Sequence, residues 1–179
     1  MDADSKQTAL AFYNAARAET VERLALREQV LLAYLATSGV IAGIAFKETK
    51  SDPNILLLIS VLSLPFTLAF LRHDWIINQL SHYVARDLRA ILRIQTGADE
   101  YVFDWDGSES LRNRIGIYLI VEKLFYAIVI CGAAVASLLL SRSLGGAIPW
   151  LYVSAGISAA LSILVFAVDL IAIFFYKDL

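Results

Sequence analysis

Apolar residues fall in four long runs, at residues 30–46, 55–71, 115–140 and 150–176, and the polar residues collect between them. The first two runs are near the lower limit for a bilayer span, about 17 residues, and the last two exceed about 20. Within the runs the apolar positions show no single face, which is the pattern of helices surrounded by lipid or by each other. The pattern predicts an all-α integral membrane protein with four transmembrane helices. Four segments follow from it: a polar helix over 1–29, a first transmembrane hairpin over 30–71, a charged insert over 72–114, and a second hairpin over 115–179.

Two helical extensions are expected outside the spans. In the N-terminal segment Ala9, Phe12, Tyr13, Ala16, Val21 and Leu24 recur at roughly helical spacing, with no Gly or Pro before Gln29. One long helix entering the first span is expected. The second extension continues out of span two to about Gln95, with Ile77, Leu80, Val84, Leu88 and Ile91 as a coiled-coil-like seam.

Composition agrees with the pattern: 59% of the 179 residues are apolar and 18% charged, beyond ordinary globular usage. Charge adds an orientation. Lys6, Arg17, Arg23 and Arg27 precede span one. Arg72, Arg86, Arg89, Arg93, Arg112 and Arg114 lie in the insert, and Lys177 follows span four. Lys47, Lys50 and Arg142 alone occupy the two other loops. The positive-inside rule then places both termini and the insert in the cytoplasm. The N-terminus lacks the short basic start of a cleaved leader, so span one is expected to be an uncleaved anchor. Cys131, the single cysteine, lies in span three and makes no intrachain bridge.

The insert carries one candidate ligand site. Trp75, His82, Arg86, Arg89 and Arg93 advance by seven, four, three and four residues, which at 100° per residue is one narrow stripe. An aromatic with a row of cations suits an anionic ligand that also stacks, a nucleotide or single-stranded nucleic acid. It equally suits phospholipid headgroups. It also suits a solvated face paired with acids of the same protein. The last has a visible partner, because Asp99, Glu100, Asp104, Asp106 and Glu109 lie in a segment without Lys or Arg, where Tyr101, Phe103 and Trp105 alternate with Val102 and Asp104 in the pattern of a short extended stretch. An anionic ligand would compete with this segment for the arginines. The Asp104–Gly107 stretch is not a calcium loop, because Ile115 stands where the twelfth-position acid belongs.

Glu122, Lys123 and Asp169 are the ionisable residues within the spans, and such residues are functional candidates by default. Lys123 lies about 12 Å into span three, and Asp169 lies at similar depth in the antiparallel span four. A Lys123–Asp169 ion pair is therefore expected, with Glu122 about 100° away on the helix. Ser154, Ser158 and Ser162 share a face of span four with Asp169. That stripe either packs helices closely or lines a water-filled path in which Asp169 attracts cations. Gly39 and Gly43 form a second close-approach pair in span one, and Pro65 is a candidate kink or hinge in span two.

Catalytic signatures do not occur. The chain has two histidines, His73 and His82, and no His-Glu-x-x-His, Gly-x-Ser-x-Gly or Walker motif. One cysteine with two histidines makes no convincing zinc site. An enzyme is not expected, and no cofactor is. A small multidrug carrier would place a carboxylate in its first span, where this chain has no charge.

The charged helix over 8–29 entering span one, the basic helix after span two and the lack of enzymatic motifs resemble the small multi-span, pore-forming effectors of bacterial anti-phage systems. These include the SLATT-type and four-span relatives and those controlled by nucleotides or oligonucleotides. The resemblance is one of architecture and carries no site residues. It implies a homo-oligomeric channel in the bacterial inner membrane, opened by a cytoplasmic anionic signal that a cytoplasmic signalling enzyme would supply. The alternative is a non-conducting membrane anchor or scaffold that recruits a cytoplasmic partner.

Overall fold

With neither Gly nor Pro before Gly39, nothing interrupts helix in the N-terminal part of the chain, and α1 runs unbroken over Ala3–Ala45. The computed structural model describes residues 3–47, 52–84 and 109–175. Three more helices follow: α2 over Pro53–Tyr83, α3 over Glu109–Leu144 and α4 over Pro149–Phe175. Among the described residues every element is helical. Each of the four helices is long and apolar enough to cross a membrane, over Leu10–Ala45, Pro53–Ser81, Ile120–Leu144 and Pro149–Ala172.

Local chemistry sets the helix ends. Both α2 and α4 begin on proline, which has no N–H to leave unsatisfied in the first turn. Asp52 caps α2, its Oδ1 accepting from the Asn54 N–H at 2.8 Å. α3 gives way to Gly145 and Gly146, at φ 69° and 78°, a left-handed conformation that glycine adopts without the Cβ clash. The side chain of Asn54 accepts from the Ile148 N–H at 2.8 Å, tying the start of α2 to the α3–α4 loop. Glu109, the last acid of the acidic segment, opens α3.

The chain divides into two compact units, one of residues 1–27 with 72–119 and the other of residues 28–71 with 120–179. The second unit holds the larger core. Leu31, Tyr34, Leu56, Ile59, Phe70, Tyr126, Ile130 and Phe166 form one buried cluster drawn from all four helices. Large apolar side chains also cover its outside, among them Leu32, Leu58, Ile128, Leu139, Val153 and Leu164. Ile128 is 69% exposed. Water would penalise such a surface by about 25 cal/mol per Å², whereas a bilayer accepts it. Length and exposure together are those of helices that can span a membrane, the pattern of a multi-pass membrane protein.

In the first unit the organising contact is ionic. Arg27 Nη1 lies 3.0 Å from Asp74 Oδ1, with side chains 5% and 4% exposed. Asp74 also accepts from Asn78 at 3.5 Å. Nearby on α1, Arg23 pairs with Glu19 one turn back.

Candidate functional site

Three layers fill the interior of the second unit, and they follow one another along α3. Lys123, Tyr126, Ile130, Ala134, Ser137 and Ser141 are the buried positions of that helix among its described side chains, residues 120–144. At 1.5 Å per residue they cover about 27 Å, nearly a hydrocarbon thickness.

The first layer is charged. Lys123 Nζ lies 2.6 Å from Asp169 Oδ2, and the two side chains are 4% and 29% exposed. This is the interhelical pair expected from matched depth. One turn along the same α3 face, the Tyr126 hydroxyl donates to Glu28 Oε1 on α1. The two contacts tie α1 to α3 and α3 to α4. Glu122 is half-buried beside them. Among the described residues no cluster of His, Cys, Asp and Glu has the makings of a metal site.

The second layer is aromatic. The Tyr126 ring packs on Phe70, with centroids 4.4 Å apart, and Phe70 packs on Phe166 at 5.9 Å. Phe70, Phe166 and Tyr126 are all nearly inaccessible. Tyr34 adds to the plug from α1, its ring 5.3 Å from Phe66. Its hydroxyl donates to the carbonyl of Ile130 at 3.1 Å.

The third layer is a ladder of hydroxyls. Ser60 donates to the Ala134 carbonyl at 2.6 Å and meets Ser137 Oγ at 2.6 Å. Ser63 meets Ser162 at 3.0 Å, and Ser141 donates to the Pro53 carbonyl at 2.9 Å. Small hydroxyl residues let helices approach and bond across the gap where lipid offers no partner. Ser158 has a more specific part. Pro65 has no N–H, so it leaves the carbonyl four residues back, that of Val61, without its helical donor. Ser158 on α4 donates to that carbonyl at 2.9 Å. α2 therefore passes through Pro65 as one helix.

The stripe on α4 thus lies mostly against α2. Ser158 and Ser162 are buried there, and Ser154 is half-buried with its hydroxyl on the Leu151 carbonyl of its own helix. Within the chain this is the close-packing arrangement. Gly39 and Gly43 are different. Both are exposed, and a Cβ added at either would meet nothing within 4 Å. The close approach expected of them is not made inside this chain, because α1 turns Leu31 and Tyr34 inward instead.

Of the candidate ligand stripe, Trp75 is 63% exposed on α2. His82 belongs to the same helix. Arg86, Arg89 and Arg93 lie outside the described residues, as does the acidic segment except for Glu109.

Reasoning from the sequence missed two contacts, Arg27–Asp74 and Glu28–Tyr126. The first was open to the argument that found Lys123–Asp169. Arg27 stands three residues before span one and Asp74 three after span two, so the hairpin brings them to one depth. The second carried little signal, because a tyrosine in an apolar run reads as packing.

The chain was compared with protein-family models, curated proteins and solved structures, and it matches none of them.

Proposed function

We propose that the protein is a homo-oligomeric membrane channel, a pore-forming effector opened by a cytoplasmic anionic signal of nucleotide or oligonucleotide type, with bacterial anti-phage defence as its setting. The observation that carries the reading is the charged layer. Lys123 and Asp169 are paired inside a membrane-compatible unit, and desolvating two such charges costs several kcal/mol each unless their pairing compensates. A unit built only for anchoring has no need of them. The aromatic layer next to the pair has the character of a hydrophobic constriction, which closes by excluding water.

Conduction then requires either that this layer open or that protomers assemble around a shared path. The exposed Gly39 and Gly43 suit assembly, since lipid-facing small residues let a second helix approach. The signal would be received by Trp75, His82, Arg86, Arg89 and Arg93. In this reading both termini and residues 72–114 face the cytoplasm, as the Lys and Arg distribution predicts.

One observation favours the alternative, a non-conducting anchor or scaffold: Phe70, Phe166 and Tyr126 fill the interior of the protomer. Membrane depolarisation on expression separates the two. The channel reading expects depolarisation by the intact chain and its loss in Asp169→Ala and in an Arg86/Arg89/Arg93 charge reversal. An unchanged membrane potential on expression and on supply of nucleotides would favour the scaffold.

A further inference from the structure

Tyr126 belongs to two layers at once. Its hydroxyl is held by Glu28 of α1, while its ring lies against Phe70 of α2, which in turn meets Phe166 of α4. A tyrosine is stiff from Cβ to its oxygen and has two side-chain torsions. Anchoring the oxygen therefore fixes the direction of the Cβ–oxygen axis, and with it where the ring lies against Phe70. The bond joins a phenol to a carboxylate, a class roughly twice as strong as a neutral pair. Its two ends differ in access: Tyr126 is buried and Glu28 is exposed. A change at Glu28 can thus reach the aromatic layer without entering the core.

We propose that the Glu28–Tyr126 bond is a latch, which holds the aromatic layer closed and α1 against α3. Its use as a gate rests on the channel reading; the latch itself does not. Releasing the hydroxyl lets the Tyr126 side chain swing away, removes the support of Phe70 and loosens the α1–α3 seam. That seam is also bonded by Tyr34 to the Ile130 carbonyl.

The native cysteine supplies the test. Cys131 is the chain's single thiol. It lies five residues beyond Tyr126, half-buried against the same core cluster. The full-length protein in lipid nanodiscs is labelled with N-ethylmaleimide, and the rate constant is followed by mass spectrometry. Tyr126→Phe and Glu28→Ala should each raise the rate by roughly threefold or more, and the double variant should label no faster than the faster single, as residues acting through one bond do. Glu28 is exposed, so Glu28→Ala remains informative if Tyr126→Phe folds poorly. Labelling unchanged in Glu28→Ala, or a double variant whose effect is the product of the two singles, overturns the latch. Conductance of the same preparations separates the two proposals. Faster labelling with no current in any variant supports the latch and removes the channel. Unchanged labelling with normal currents removes the latch alone.

Discussion

Ser158 donates to the carbonyl that Pro65 leaves without its helical donor. The proline and the serine sit on different helices, so neither explains the other in a linear reading. They should be coupled energetically. Ser158→Ala should destabilise the protein by about 1 kcal/mol, the ordinary net worth of a hydrogen bond. In a Pro65→Ala background, where residue 65 supplies its own N–H, the same change should cost close to nothing. Thermal unfolding of the four proteins in one detergent measures the cycle, and equal costs in both backgrounds would break the assignment.

Thr67 makes the opposite case. Its side chain is fully buried, and its hydroxyl has no hydrogen-bond partner among the described residues. Thr67→Val replaces that hydroxyl with a methyl of similar size. An unsatisfied buried hydroxyl costs about 1 to 3 kcal/mol, so the variant should be neutral or more stable. A loss above about 1 kcal/mol, read as a lower melting temperature, would mean that the hydroxyl is used.

The Arg27–Asp74 pair should behave as a buried ion pair. Either Arg27→Met or Asp74→Leu removes one charge and leaves its opposite at a site less than a tenth exposed. Each single change should cost about 3 to 5 kcal/mol, while the double change to two apolar residues recovers most of the loss. Denaturation of the three variants tests this, and additive losses in the double variant would contradict it.

Trp75 offers a direct reading of the ligand site. It is exposed on α2, and in the channel reading it stacks on the ligand. A short single-stranded oligonucleotide should change its fluorescence, and the change should disappear in Trp75→Phe and in the Arg86/Arg89/Arg93 charge reversal. Base stacking of this kind contributes about 1 to 3 kcal/mol per base, so Trp75→Ala should weaken binding by about tenfold or more. A signal that survives Trp75→Phe points to Trp105 or Trp150 and not to this stripe.

The sequence made some features plain and hid others for physical reasons. Spans were legible because lipid demands unbroken apolar length, and α4, over Pro149–Phe175, follows that pattern closely. Lys123–Asp169 was legible because ionisable groups in a span are few and antiparallel neighbours share depth. The serines of α4 were ambiguous because a hydroxyl can face water or a carbonyl with equal propriety. Ser158 was decided by a vacancy on another helix, made by Pro65. Tyr126 was invisible as a site because most of its surface is ordinary core, and only its oxygen distinguishes it. Glu28 was read with the polar helix before span one, yet it bonds into the transmembrane unit.

The central claim is that the Lys123–Asp169 layer governs ion passage, and current across a planar bilayer tests it most directly. Purified protein should give discrete currents on addition of a nucleotide or oligonucleotide ligand. Asp169→Asn, which leaves the helix packing near Lys123 in place but removes the opposing charge, should change the cation-to-anion permeability ratio severalfold. Currents whose selectivity is the same in Asp169→Asn, or a wild-type protein that passes no current with any such ligand, would contradict the account.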